Sequence, residues 1–254
     1  MRELERNRHH TLSEPCAIVG RGRLGNTLAQ ALGTAGIRVE GPLGRGADGS
    51  GAGLVLLCVP DAEIAAAASR IAPGPLVGHC SGATTLDPLD PHEALSLHPL
   101  MTVTDRGASF AGAGCAVAGT TPRALDTAAG LARTLGMTPF EVADRDRLAY
   151  HAAASIASNF LVGLEAAAES LAATAGADRA ALAPLVRATV ENWASMGAER
   201  ALTGPLARGD EATVARQRDA VAERTPELLE LFDAMAGVTR GLVARAGART
   251  AVPA

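Results

Sequence analysis

Apolar residues follow two different rhythms along this chain. Up to about residue 143, short continuous apolar runs alternate with stretches of helical period. Cys16–Val19, Ile37–Leu43, Leu54–Val59, Leu76–Cys80, Ala94–Leu97, Cys115–Ala118 and Pro139–Val142 are such runs, most of them ended by Gly, Pro, Asp or Ser. Continuous rather than alternating apolarity is the mark of strands covered on both faces. Helical patterns at 23–34, 62–71 and 121–135 lie between them, while 44–53 is too glycine-rich to be a good helix and reads as a loop. Strands alternating with helices predict an α/β fold with a doubly wound parallel sheet. From Asp144 the rhythm changes. Residues 144–174 carry one long helical pattern without an internal proline, and further helices are expected near 184–199, 210–222 and 226–246. The predicted organisation is a disordered tail over 1–14, an α/β domain over 15–143 and an all-α C-terminal domain over 144–250, which serves substrate binding and dimerisation.

The first strand runs directly into Gly20-Arg21-Gly22-Arg23-Leu24-Gly25 and then into a helix. Strand, G-x-G-x-x-G and helix in that order give a Rossmann-type dinucleotide site. Gly20 permits the tight turn, Gly22 lets a pyrophosphate approach bare backbone, and Gly25 lets the helix pack closely on the strand. The phosphates would sit on the helix N-terminus. An acidic residue at the end of the second strand would bind the ribose hydroxyl of NAD. Here Glu40 falls inside the strand, and the exit reads Gly44-Arg45-Gly46. Arg45, helped by Arg21 or Arg23, is placed to meet a 2′-phosphate, which favours NADP. A one-residue shift would instead bring Glu40 forward and leave NAD possible. Val59, Pro60 and Ser81, at the exits of the third and fourth strands, complete the expected cofactor set.

Composition narrows the partners. The chain has 254 residues, 48% hydrophobic, with a net charge of −4. Neither sign of charge dominates, so no nucleic acid or membrane surface is implied. At 2% aromatic residues the chain is also poor in base-stacking platforms. No apolar run approaches the roughly 18 residues of a spanning helix, and Met1–Glu14 lacks the apolar core of a signal peptide. Four cysteines fall in predicted strands without C-x-x-C spacing, which reads as reduced thiols of a cytoplasmic protein and not as a metal site. All 23 basic residues are arginine. Mechanisms that need a lysine are therefore excluded.

Three clusters carry candidate chemistry. His98 precedes Pro99 at a predicted strand exit, where it is held extended and can give or take the proton that accompanies hydride transfer. His79, at another exit, reads either as functional or as satisfying a strand-end hydrogen bond. In the long helix His151, Ser155 and Asn159 are spaced by four, forming a polar stripe that faces either a substrate or a neighbouring helix. His151 and Asn159 are candidates to polarise or orient a substrate, and Ser155 to contact it. Between two later helices, Thr203 and Arg208 offer a substrate grip, Arg208 through a bidentate carboxylate contact. Asp210 reads equally as a helix cap paired with Arg208.

Gly20–Gly25, Cys58-Val59-Pro60-Asp61, His79-Cys80-Ser81-Gly82, Leu97-His98-Pro99-Leu100, Tyr150-His151 with Ser158-Asn159-Phe160, and Leu202-Thr203-Gly204-Pro205 with Arg208-Gly209-Asp210 resemble a bacterial family. That family pairs a Rossmann-like domain with the domain of unknown function 2520, within the 6-phosphogluconate-dehydrogenase-like superfamily. The resemblance spans about 15 to 248. It implies an NADP-linked oxidoreductase with a helical, often dimerising C-terminal domain, and names no substrate. The catalytic lysine of β-hydroxyacid dehydrogenases and ketopantoate reductases has no counterpart here. The His-Pro-Leu-Met segment is similar to the His-Pro-Met element of prephenate and arogenate dehydrogenases, in which the histidine handles a hydroxyl proton. Pyrroline-carboxylate reductases resemble the N-terminal half, which leaves an imine substrate open.

The resulting expectation is a cytoplasmic homodimer. It moves hydride between NADP and a C=O or C=N carbon of a small, carboxylated metabolite bound between the domains, with His98 as acid/base. The alternative is a non-catalytic NADP-binding regulator or scaffold.

Overall fold

A computed structural model describes residues 14–250; nearly all of the expected N-terminal tail lies outside the described residues. The chain divides into two compact units, Met1–Ser158 and Asn159–Ala254.

The first unit is built on seven strands, β1 (Cys16–Val19), β2 (Val39–Leu43), β3 (Leu54–Leu57), β4 (Leu76–His79), β5 (Ala94–Leu100), β6 (Gly114–Gly119) and β7 (Thr138–Glu141). Their order in the sheet is β2-β1-β3-β4-β5-β6-β7. The chain reverses its winding between β1 and β3, the switch point at which open α/β sheets take ligands. Helices α1 (Arg23–Thr34) and α3 (Pro122–Thr134) cover one face of the sheet. There Leu28, Leu32, Leu131 and Ala132 pack on Ile18, Leu56, Leu95 and Val117. Helix α2 (Ile64–Ala68) and the turn around Leu86 and Leu89 cover the other, over Val19, Val55, Leu57 and Val77. Each central strand is buried on both sides, as its continuous apolarity requires.

The sheet is not parallel throughout. β1 to β5 run parallel, whereas β6 pairs antiparallel with β5 and parallel with β7. Apolar patterning is the same in either direction, so the reversal leaves no trace in the sequence. β5 also continues past its expected end at Leu97. β4 pairs with it only as far as Ser96, while β6 pairs with it up to Leu100. Beyond Ser96 the strand has a neighbour on one side only, so Pro99 fits without removing a ladder bond that a second neighbour would need. His98 consequently lies inside a strand rather than at its exit. Pro42 and Pro139 fall in the two outer strands.

The expected single helix over 144–174 is divided. Helix α4 (Arg147–Ser155) is followed by a π-helical turn, Ile156–Phe160, and then by α5 (Leu161–Ala173). The second unit adds α6 (Arg179–Met196), α7 (Ala198–Ala201), α8 (Glu211–Arg224) and α9 (Leu229–Thr250). Ion pairs Arg179–Glu169, Arg218–Asp233 and Arg240–Glu211 join its helices. No helix among the described residues is long and apolar enough to cross a membrane.

Candidate active site

The glycine turn is shaped by contacts that exclude side chains. Gly20 has φ +123°, a region that L side chains rarely adopt, and a Cβ there would run into the carbonyl of Cys58. A Cβ on Gly25 would strike the Gly20 carbonyl, so α1 and β1 are in backbone contact. Gly22 is different: nothing lies within 4 Å of the place its Cβ would take. It is the N-cap of α1, makes no side-chain cap, and the first turn carries no acidic residue. The result is open space in front of free helical N–H groups, which fits a pyrophosphate. Arg21 donates from Nε to the Pro42 carbonyl at 3.3 Å, and Arg45 pairs with Glu63 at 2.8 Å. Both arginines thus flank the end of β2, while Glu40 lies exposed within that strand. Arg23 sits 3.8 Å from Asp105.

At the exits of β3 and β4 two ties join the strands. Ser81 Oγ donates to Asp61 Oδ2 at 2.8 Å on one face, and the Cys58 and Cys80 sulfurs stand 3.7 Å apart on the other. Ser81 Oγ also accepts from the amides of Ala83 and Thr84. The structure therefore uses Ser81 to hold its own loop, whereas Val59 is partly exposed and Pro60 exposed beside it. His79 is fully buried. Its Nδ1 accepts from the Ser81 amide and its Nε2 donates to the Thr85 carbonyl. An obligate donor on one side and an obligate acceptor on the other fix one neutral tautomer. Burial also lowers its pKa, so His79 is a structural residue of the β4 exit.

His98 has a different setting. Ser96 and His98 are two apart on β5 and project from the same face. Arg147, Tyr150 and His151 are spaced i, i+3, i+4 on α4 and share one face of that helix. The two faces meet rung by rung. Arg147, almost wholly buried, donates to Ser96 Oγ and to Asp144 Oδ1, each at 2.6 Å. One turn on, Tyr150 Oη lies 2.7 Å from His98 Nδ1. The His98 and His151 rings have centroids 6.1 Å apart, and Gly82 sits against both: a Cβ there would lie 2.8 Å from His151 Nδ1 and 2.9 Å from His98 Nε2. Two imidazoles therefore converge on a notch that only a glycine can line.

Two groups of this notch, His98 and Tyr150, are held neutral. Burial, followed by His151 and Arg147, lowers the His98 pKa to about 4 against the opposing pull of Asp61. Burial, then Cys115, pushes the Tyr150 phenol up to about 12. At neutral pH the pair is an imidazole and a phenol, able to pass one proton along Tyr150–His98 and to exchange it at Nε2.

Among the sequence-derived candidates, His98 and His151 come together here. Ser155 keeps its spacing of four from His151 within α4, but Asn159 does not extend the stripe, because it lies in the π-helical turn, which closes i→i+5 and breaks the spacing. Asn159 opens the second unit, and Thr203 and Arg208, both exposed, lie further along it. Asp210 caps α8 by accepting from the Thr213 amide at 3.0 Å. Sequence reasoning did not single out Arg147, and it gave no role to Tyr150, Gly82 or Asp61, although these three stand in the motifs of the family resemblance. The i, i+3, i+4 spacing of Arg147, Tyr150 and His151 was the available signal for the first two.

The family model described as a domain of unknown function (DUF2520) matches residues 113–239. No curated protein sequence matches the chain. Among solved structures, a Thermotoga maritima protein aligns at 22% identity, covering 91% of this chain and 98% of its own, with a TM-score of 0.75. A Bacteroides fragilis protein provisionally named an NADP oxidoreductase aligns at 18% identity, over 90% and 98%, with a TM-score of 0.74. An NADH-preferring ketol-acid reductoisomerase from an uncultured archaeon aligns at 14% identity, over 97% and 97%, with a TM-score of 0.63. These likenesses are of fold.

Proposed function

The chain belongs to the DUF2520 family, and we propose that it is an oxidoreductase moving hydride between NADP and a C=O or C=N carbon of a small metabolite. The observation that carries this reading is the convergence of His98 and His151 on Gly82, in the same unit and at the same strand ends as the glycine turn. When bound, the cofactor supplies or accepts the hydride. The N–H groups behind Gly22 hold its pyrophosphate. Arg45 and Arg21, at the end of β2, take the 2′-phosphate, with Arg45 leaving an exposed ion pair of the kind that is worth little. The fold likeness to a protein named as an NADP oxidoreductase supports the choice of cofactor.

His98 gives or takes the substrate proton at Nε2, Tyr150 holds Nδ1, and His151 orients the reacting oxygen or nitrogen. Large apolar side chains on the helices are exposed, among them Val162 at 70%, Leu185 at 65% and Trp193 at 58%. They support a homodimer, which a monomeric mass by light scattering would remove.

The test is titration with NADPH and NADH, following nicotinamide fluorescence. Micromolar binding of NADPH with weaker NADH is expected, followed by oxidation of bound NADPH by members of a keto-acid and cyclic-imine panel. Binding of neither nucleotide overturns the reading. A loss below about tenfold in His98→Ala removes the acid/base role, since such groups contribute roughly 10²–10⁴-fold.

A further inference from the structure

Cys58 and Cys80 have no part in the chemistry above, yet they are placed for chemistry of their own. They follow β3 and β4 in register: Leu57 pairs with His79, and the Cys80 amide still bonds to the Leu57 carbonyl. Neighbouring strands lie about 4.7–4.9 Å apart, inside the Cα separation of roughly 4.4–6.8 Å that a disulfide spans. Both side chains point to the α1 face, and their sulfurs are 3.7 Å apart. Cys58 is partly exposed and Cys80 is buried. The contact with Cys58, and then burial, keep the Cys80 thiol protonated well above its ordinary range, and Cys58 is the more accessible sulfur of the pair.

Cys58 is also the floor of the glycine turn. Its carbonyl blocks the Cβ position of Gly20, and its Cβ lies 3.3 Å from the Cβ position of Gly25. Bond formation brings the sulfurs to about 2.05 Å and the two Cβ atoms to about 3.8 Å, drawing the Cys58 side chain towards Cys80 and away from Gly25.

We propose that Cys58 and Cys80 are a hydroperoxide-sensitive thiol pair whose disulfide loosens the glycine turn and weakens its hold on a dinucleotide. The Cys58 sulfur attacks the hydroperoxide, breaking the O–O bond; the alcohol, or water from hydrogen peroxide, leaves and a sulfenic acid remains. The Cys80 sulfur then displaces that hydroxyl, which departs as water with the Cys80 proton. Two thiols are oxidised, one hydroperoxide is reduced, and one disulfide forms. Because coupling is reciprocal, a bound dinucleotide shifts the thiol–disulfide equilibrium towards the two thiols. The dinucleotide arm rests on the cofactor reading above; the thiol arm does not.

The full-length protein is treated with hydrogen peroxide and cleaved at arginine, which leaves the four cysteines on separate peptides, 9–21, 46–70, 71–106 and 107–123. Linkage of 46–70 to 71–106 is expected, lighter by about 2 Da for the two hydrogens lost. Cys16 and Cys115, fully buried, stay reduced. Deuterium exchange over residues 20–26 quickens in the oxidised protein and returns after dithiothreitol. NADPH affinity falls about tenfold, within the usual range of coupling. Cys80→Ser and Cys80→Ala keep NADPH affinity and form no link. Unlinked peptides, or Cys58 advancing to sulfinic acid, overturn the thiol pair. A link with unchanged exchange over 20–26 overturns the coupling. Failure of the reduced protein to bind NADPH counts against the cofactor reading alone, and the peptide map and exchange still decide this one.

Discussion

Tyr150 Oη stands 2.7 Å from Nδ1 of His98, a bond between α4 and β5 across 52 positions of sequence. It occupies one ring nitrogen and leaves Nε2 as the one that looks onto Gly82. With the Arg147–Ser96 bond one turn earlier, it fixes α4 against β5 beside the notch.

Removing the phenol hydroxyl tests that bond. Tyr150→Phe keeps the ring that packs edge-on to Phe140. Turnover is expected to fall roughly 2- to 12-fold, the equivalent of about 0.5–1.5 kcal/mol for one hydrogen bond, with KM nearly unchanged. His98→Gln is expected to cost roughly 10²–10⁴-fold. Steady-state kinetics of the two variants with one substrate give the comparison.

The depressed pKa of His98 predicts acid sensitivity with a definite sign. Its value is about 4 in the folded protein against 6.5 ordinarily. Between those values the unfolded chain binds more protons, so stability falls as pH drops through the window and is fully present above 6.5. His79, also lowered by burial, adds in the same direction. Urea midpoints at pH 7 and pH 5 should differ less in His98→Gln than in the parent.

Gly82 is predicted to be intolerant of even one methyl. A Cβ at 2.8 Å from two imidazole atoms must displace a ring, and both rings are part of the notch. Gly82→Ala should lose turnover at least tenfold, roughly the effect of misplacing a catalytic group by a fraction of an ångström. NADPH affinity, read by fluorescence titration, should stay as it was.

Arg45→Ala discriminates between cofactors. A charge-assisted contact to a 2′-phosphate is worth about 1.5–3 kcal/mol, so NADPH affinity should fall roughly 10- to 150-fold. NADH affinity should hardly move, because it has no group for Arg45 to meet. Equal effects on the two nucleotides would place Arg45 elsewhere in recognition.

What the sequence disclosed and what it hid follow from the range of each signal. Leu54–Leu57 and Cys16–Val19 declare themselves as buried strands because four adjacent apolar residues tolerate little else. The glycine turn is legible because its three glycines answer to contacts within a few residues and to the next strand. The direction of β6 is not, because pairing sense depends on where the chain goes. His98 could be singled out by its chemistry, but nothing in the local pattern beyond its spacing from Tyr150 and His151 singles out Arg147. Its burial comes from Ser96, 51 positions away. Tyr150 was hidden for the same reason, since a phenol beside alanines gives no hint of the imidazole it meets. The π-helical turn at Ile156–Phe160 arises inside an alanine-rich run whose local preferences do not distinguish one helix winding from another.

The solitary phenol makes the protein its own indicator dye. Tyr150 is the only tyrosine in the chain, and the single tryptophan, Trp193, is exposed on α6 in the other unit. Tyrosinate absorbance therefore comes wholly from a ring in bonding distance of His98, with its alkaline onset delayed because burial pushes the phenol pKa up to about 12. Any compound that settles in the notch and disturbs that bond will shift the onset. Unlabelled compounds of any class can thus be ranked in an ordinary spectrophotometer by the shift each produces.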